Sequence, residues 1–120
     1  MEKKFNLKTG KLGEEIAARF LEKKGYKITA RNFKTKYSEI DLIARRKDIL
    51  VFVEVRARAG EDFGTPEETI NREKKRRLKR AAQAFAAFNK WKGPLRIDAV
   101  CLVLDENQKA ARVSHYENIC

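Results

Sequence analysis

The stretch that decides the fold runs from Glu39 to Arg58, "EIDLIARRKDILVFVEVRAR". Its alternating apolar residues predict two antiparallel strands joined by a short turn. The face opposite the predicted core face is apolar near the turn, but it bears Asp41 and Glu54 at its far end. A hydrophobic hairpin therefore holds two carboxylates. The residues predicted to share the core face are Ile40, Leu42, Ala44, Val51, Val53 and Val55.

The register of this hairpin determines how close Asp41 and Glu54 come. The two core faces coincide only if paired residue numbers sum to an odd value, and a loop at Arg46 to Ile49 then sets Asp41 opposite Glu54. Directly opposed side chains have their Cβ atoms about 5 Å apart. Two like charges at that distance destabilise a sheet unless a cation lies between them.

Two interpretations of the carboxylate pair are open from the pattern. Carboxylates are hard oxygen ligands that suit Mg²⁺ or Mn²⁺, and phosphodiester hydrolysis uses such a metal to polarise the phosphoryl oxygen and acidify a water. Arg56 lies two residues after Glu54 on the same strand face, beside the predicted metal. The alternative is a structural network of ion pairs, in which Glu39 pairs with Arg56 and Asp41 pairs with Arg58 or Arg45.

The rest of the chain predicts one α/β domain over residues 1–120, with a mixed central sheet flanked by helices. An amphipathic helix over residues 9–24 would end at Gly25, and a strand would follow. A capping box at Thr65 predicts a second helix, which would run to about Asn89 with an interruption near Asn71. Two further strands are predicted over residues 95–105 and 111–117. The apolar stripe of the second helix is predicted to contain Leu78, Ala81 or Ala82, Phe85 and Phe88, and Lys74 one turn earlier.

Basic residues are concentrated in the second predicted helix. The chain has a net charge of +11 and a pI of about 9.9, and a field of this size attracts polyanions, nucleic acid first. The alternative is a solvated helix face, or the charge-rich surface of a thermophile. No base-reading motif is present, which predicts recognition of nucleic-acid shape or branching. The predicted nucleic-acid-binding residues are Arg72, Lys75, Arg76, Arg77, Lys79 and Arg80.

The sequence predicts a cytoplasmic protein without a membrane span. No apolar run approaches the roughly 20 residues that such a span needs, and the start of the chain shows no apolar signal-peptide region. The two cysteines, Cys101 and Cys120, fit a reducing compartment, with Cys101 expected to be buried.

Residues 10–100 resemble a known family through "GEEIAARFLEKKGYKITARNF", "EIDLI", "VFVEV" followed by a basic residue, "FG", and a downstream helical lysine. This combination is similar to the YraN-like family of predicted endonucleases, placed in the PD-(D/E)XK nuclease superfamily near archaeal Holliday junction resolvases. The resemblance implies a restriction-endonuclease-like domain and Mg²⁺- or Mn²⁺-dependent hydrolysis of phosphodiester bonds in DNA, including branched DNA. Because related resolvases are dimers, it also suggests a homodimer.

By position, the resemblance assigns Asp41 and Glu54 as catalytic metal ligands, and the backbone carbonyl of Val55 as a further one. It also assigns Glu14 of the first helix to the metal, and Lys74 of the second helix to catalysis. The alternative for Glu14 is a surface glutamate stabilised by the helix dipole.

The chain departs from the family pattern at two positions. Arg56 stands where the superfamily has a catalytic lysine, and an arginine stays charged and cannot act as a general base. Ser38 stands where the family usually has glycine. Both departures leave open a second function: a non-catalytic nucleic-acid-binding protein that retains the nuclease fold.

Overall fold

The predicted hairpin forms strands β2 (Glu39–Arg46) and β3 (Ile49–Ala59) in a computed structural model of the chain, which describes residues 7–62 and 64–120. Ile43 pairs with Phe52, and this is the predicted register. Only two residues form the turn, and Lys47 takes the left-handed conformation there, with φ of 58°. Because the turn is this short, it fixes which residues of the two strands are paired.

Five strands form one mixed sheet in the order β1-β2-β3-β4-β5. Its neighbouring strands are antiparallel except for β3 and β4, which are parallel and are connected through the second helix. This arrangement confirms the predicted α/β fold class and is consistent with a restriction-endonuclease-like fold. The remaining elements are α1 (Leu7–Lys23), β1 (Lys27–Lys34), a single 3₁₀ turn (Pro66–Thr69), α2 (Arg72–Phe88), β4 (Leu95–Leu104) and β5 (Ala110–Tyr116).

A helix covers each face of the sheet. On one face, Leu21 and neighbouring alanines of α1 pack against Leu42 and Val53. On the other face, Leu78 of α2 packs against Ile43 and Phe52. Because both faces are buried, Glu54 lies inside the molecule, on the α2 face that continues from Phe52.

Ile40 does not lie where the alternation predicts. It was expected to share a face with Leu42, but it packs in the α2 cluster with Phe33 and Ile43. The reason is local: at Ile40 strand β2 has separated from β3 and pairs with Phe33 of β1 instead. The strand therefore follows the twist of β1 at this end.

Helix α1 ends as predicted and lies unusually close to the sheet. Gly25 has a φ of 93°, and the Tyr26 N–H donates back to the Leu21 carbonyl at 3.0 Å, which closes the last turn. A Cβ atom added to Gly13 would lie 2.6 Å from the Ala57 Cβ. This glycine lets α1 sit directly on β3, one residue before Glu14.

The predicted interruption near Asn71 is confirmed. The capping box of Thr65 and Glu68 closes only the 3₁₀ turn, and α2 begins anew with the Asn71 side chain accepting from the Lys74 N–H at 2.8 Å. The prediction for Phe88 was wrong, because its side chain is 85% exposed. The helix ends at Phe88, and Trp91 packs on the α2 cluster beyond it.

Candidate active site

The two predicted carboxylates lie where strands β2 and β3 separate. The last paired residues of this ladder are Leu42 and Val53, and Asp41 and Glu54 follow immediately in the same register. Beyond this point β2 pairs only with β1, while β3 pairs with β4. Asp41 Oδ2 accepts a hydrogen bond from the Val55 N–H at 2.8 Å. A side chain thus satisfies a backbone group that the opened ladder leaves free.

Glu54 is a buried carboxylate with one oxygen in ion pairs and the other without a hydrogen-bond partner among the described residues. Its side chain is 3% exposed, and Oε2 lies 2.8 Å from Arg56 Nε and 3.7 Å from Lys74 Nζ. The Arg56 Nε–H is not aligned on Oε2, so the contact between them is an ion pair without a hydrogen bond, and Oε1 has no partner among the described residues. A buried polar atom without a partner costs free energy. The site therefore has unused capacity for a cation or a proton.

Asp41 and Glu54 share this small volume at an electrostatic cost. Burial raises the pKa of Asp41 to about 8, helped by the negative charge of Glu54. The hydrogen bond from the Val55 N–H acts in the opposite direction, while the charge of Glu14 and a hydrogen bond with Glu54 raise the pKa further. Two carboxylates this close cannot both ionise easily, so Asp41 holds a proton near neutral pH or requires a cation beside it.

Lys74 lies on the inner side of α2, as predicted. Its side chain is 20% exposed and its ammonium lies near Glu54. The same ammonium donates to Ser38 Oγ at 3.3 Å. Ser38 therefore helps to position the lysine beside the site. The helical pattern predicted correctly that Lys74 lies on the inner side of α2. The pattern could not predict its contact with Ser38, because the two residues are 36 positions apart in the chain.

Glu14 lies in the α1 layer, at the border of the site. The Asn32 side chain donates to Glu14 Oε1 at 3.1 Å, and Asn32 itself has a left-handed φ of 50° in β1. Glu14 is close enough to influence the pKa of Asp41, but its recorded hydrogen bond is to Asn32. The neighbouring Glu15 pairs with Arg31 of β1 at 2.9 Å.

The donor set fits a two-carboxylate metal site. Within residues 7–62 and 64–120, no three His, Cys, Asp or Glu side chains form a group that could hold a metal ion. Mg²⁺, however, is usually held by one or two carboxylates together with waters and substrate phosphates. Asp41 and Glu54 supply these oxygens, and the unpartnered Glu54 Oε1 is available. The roles of Glu14 and of the Val55 carbonyl as ligands stay predictions.

The ion pair seen at the site differs from the one that the ion-pair alternative expected. Arg56 pairs with Glu54 of its own strand, whereas that alternative expected Glu39 as its partner. The negative charge of Glu54 is thus compensated within the site by Arg56.

A second buried polar cluster lies on the α1 face, centred on Asp98 beside Val53 in the sheet. No pattern in the sequence predicted this cluster. Arg96 donates to both oxygens of Asp98 at 2.9 Å, and His115 Nε2 and the Asn118 N–H complete the set at 2.8 and 3.0 Å. Burial raises the pKa of Asp98, but the hydrogen bonds, led by that of His115, bring it below its usual value. This cluster is fully satisfied and has a structural role.

The basic residues of α2 form a surface beside the site. Some of their charge is compensated, because Glu73 pairs with Arg76 at 2.6 Å and with Arg77 at 3.8 Å. Lys75 is half-buried, and its carbonyl accepts from Cys120 Sγ at 3.5 Å. The exposed members of the predicted nucleic-acid-binding set are Arg72, Arg76, Arg77, Lys79 and Arg80.

Comparisons with known proteins agree on one family. The sequence model described as "Uncharacterised protein family UPF0102" matches residues 13–102, a range that contains all the residues of the candidate site. A UPF0102 protein of Pelotomaculum thermopropionicum is 42% identical, covering 91% of this chain and 92% of its own length. Similar proteins occur in Caldanaerobacter subterraneus, 48% identical with 75% of each chain covered, and in Dictyoglomus thermophilum, 38% identical with 87% and 89% covered. No helix among the described residues is long and apolar enough to cross a membrane. The chain belongs to the uncharacterised protein family UPF0102.

Proposed function

We propose that this protein is a divalent-metal-dependent endonuclease that hydrolyses phosphodiester bonds in DNA, as its resemblance to the PD-(D/E)XK nucleases implies. One observation carries the proposal: Asp41 and Glu54 converge in a buried opening of the sheet, where Glu54 Oε1 has no partner among the described residues. The pKa of Asp41 is strongly raised by burial and by the charge of Glu54, and carboxyl groups perturbed in this way cluster at functional sites.

Asp41 and Glu54 would hold Mg²⁺ or Mn²⁺, with the Val55 carbonyl and Glu14 as further candidate ligands. The bound ion would polarise a phosphoryl oxygen and lower the pKa of a water. Lys74, whose ammonium is 3.7 Å from Glu54, would hold the attacking water or a phosphate oxygen. Arginine is not a general base, so the role of Arg56 would be to hold a phosphate oxygen and offset negative charge.

The positive charge of α2 supports DNA as the substrate, and no base-specific contact enters this assignment. The exposed basic residues of α2 lie on the helix that also positions Lys74, so a phosphate backbone on this surface would lead to the carboxylates. Branched DNA is the substrate that the resemblance suggests. A homodimer, which would engage two arms of a junction, is tested by sedimentation of the free protein and of its junction complex.

A second function is favoured by the contact between Arg56 and Glu54. This ion pair already compensates one of the two carboxylates, as in a binding protein that retains the nuclease fold without turnover. Such a protein would use the same basic surface of α2 and would bind DNA without cutting it.

Cleavage assays distinguish the two functions. Plasmid, single-stranded and four-way-junction DNA are incubated with Mg²⁺ or Mn²⁺ and with wild type, Asp41→Asn or Glu54→Gln. The exposed Asp48 in the β2–β3 turn provides the matched control, Asp48→Asn. We expect cleavage that is lost in both site variants and kept in the control, while DNA binding persists in all. Binding without cleavage under every condition supports the non-catalytic function instead.

Calorimetry tests the metal without relying on activity. Mn²⁺ titrated into the wild type and Asp48→Asn should release heat with a saturable isotherm, and this signal should be absent in Glu54→Gln. An identical isotherm in Glu54→Gln would remove Glu54 from the metal site.

A further inference from the structure

One of the candidate carboxylates, Glu54, belongs to a row of paired residues that crosses three strands. Ala99 of β4 is paired with Glu54, and Tyr116 of β5 is paired with Ala99. Residues that are paired across a sheet point to the same face, here the face covered by α2. Since neighbouring strands lie about 4.8 Å apart, the backbone of Tyr116 is about 10 Å from that of Glu54.

An open cleft of about 270 Å³ lies over the Tyr116 end of this row. Ala99 forms part of its floor, and a side chain this small leaves the space above the strand free. The cleft has apolar walls and a cation, supplied by Ile70, Ile119, Lys75 and Tyr116. Tyr116 is 42% exposed, one of the few large hydrophobic side chains that are exposed among the described residues.

Polar contacts hold the Tyr116 ring at the edge of the cleft. Its hydroxyl donates to Glu67 Oε2 at 2.7 Å, and Arg112 donates to the same oxygen at 2.6 Å. The hydrogen bond from Arg112 lowers the pKa of Glu67 to about 2, and the arginine compensates its negative charge. The acid in the cleft is therefore no obstacle to an anionic ligand, and the hydroxyl contact holds the Tyr116 side chain in place before a ligand binds.

We propose that this cleft binds an unstacked nucleobase of the DNA strand that enters the site, with the Tyr116 ring as the stacking surface. This inference rests on the proposed function and specifies its substrate class. Consecutive cations on α2 support it: Lys74 lies at Glu54, and Lys75 lines the cleft. A strand that passes from the carboxylates to Tyr116 meets a cation at each end of its path. The separation of about 10 Å corresponds to roughly three nucleotides at the ~3.4 Å spacing of stacked DNA, and to fewer in an extended strand.

A base can reach this cleft only if it is unpaired. Bases within a duplex are stacked and must be extruded at a cost of a few kcal/mol, whereas a base at a junction, flap or single-stranded end is already available. Every base has a π-face, so stacking on tyrosine tolerates any sequence. The cleft therefore selects DNA structure and not DNA sequence, in keeping with the lack of base-reading motifs.

The test measures binding in EDTA, so that it does not depend on cleavage. Oligonucleotides with 2-aminopurine at an unpaired position are titrated with wild type, Tyr116→Phe, Tyr116→Ala and the control Phe88→Ala, which removes another exposed aromatic ring at the far end of α2. Circular dichroism melts confirm that each variant folds. We expect fluorescence quenching by wild type, Tyr116→Phe and Phe88→Ala. Tyr116→Ala should lose the quenching and bind the unpaired DNA about 5- to 150-fold more weakly, the effect of one base–aromatic stack, while blunt duplex affinity is unchanged.

Equal affinity of Tyr116→Ala and wild type for unpaired DNA would overturn the inference, as would a parallel loss on blunt duplex. The outcome is separable from that of the proposed hydrolysis. Binding that depends on Tyr116 without cleavage in any metal would retain the nucleobase site and reject the nuclease. Metal-dependent cleavage together with DNA binding that is unchanged in Tyr116→Ala would retain the nuclease and reject the nucleobase site.

Discussion

Replacing Asp41 by asparagine should stabilise the fold while it inactivates the site. The asparagine oxygen can still accept from the Val55 N–H, as Asp41 Oδ2 does at 2.8 Å. Its amide can donate to Glu54 Oε1, which has no partner among the described residues. The substitution also removes one of two acidic groups that are buried together. A functional site is often built at the expense of stability in this way.

The magnitude follows from the pKa of Asp41, which is about 8 in the folded chain and ordinarily 3.8. Between these values the unfolded chain has released the proton and the folded chain retains it, so folding must take up a proton. The stability linked to the raised pKa is fully present below pH 3.8 and is lost as the pH rises to about 8. At pH 7 the loss amounts to at most about 4 kcal/mol, at ~1.4 kcal/mol for each pKa unit. Asparagine does not titrate and avoids this loss.

Thermal unfolding in EDTA at pH 4, 6 and 8 tests this reasoning on wild type, Asp41→Asn and Asp48→Asn. If half of the maximum is realised at neutral pH, the Tm of Asp41→Asn should exceed that of wild type by roughly 6–12 °C. The difference should be small at pH 4 and grow with pH, because only the wild type titrates. Asp48→Asn, an exposed change of the same charge, should stay near wild type throughout. A Tm of Asp41→Asn that is lower than wild type by the same amount at every pH would refute the shared buried site.

Three further predictions address the lysine, the basic surface and the packing of α1. Lys74→Ala should lower the cleavage rate by about 10²- to 10³-fold, the usual effect of losing one electrostatic stabiliser. Lys74→Arg should recover part of the rate, and DNA affinity should be unchanged in both variants. Single-turnover kinetics measure the rate, and an unaltered rate in Lys74→Ala would exclude a catalytic role for the lysine. Replacing Arg72 and Lys79 together by glutamine should reduce the slope of log affinity against log salt by about one to two, since each phosphate contact contributes ~0.9. An unchanged slope would mean that the DNA phosphates do not contact Arg72 and Lys79. Gly13→Ala should destabilise the fold by about 1–3 kcal/mol in urea unfolding, because its Cβ would overlap β3, whereas Gly10→Ala, with open space around it, should be neutral or stabilising.

The amino-acid sequence determined the hairpin register and with it the carboxylate pair. Alternating apolar residues on both sides of a short turn allow one pairing that keeps the core faces together, and that pairing brings Asp41 and Glu54 to the same level. The helical period likewise placed Lys74 on the inner side of α2. These features depend on residues close in the chain, which is why pattern and turn length suffice to predict them.

Only the tertiary structure decided how the site is completed. The pairing of Glu54 with Lys74, the contact of Lys74 with Ser38 and the approach of Tyr116 depend on where α2, β4 and β5 pack on the hairpin. The same packing buries the second face of the sheet and leaves Phe88 in solvent, while the separation of β2 from β3 moves Ile40 into the α2 cluster. Sequence periodicity states which side of an element is apolar, but it does not state which distant element covers that side. Those contacts join residues tens of positions apart, and their geometry is set by the packing of the whole domain.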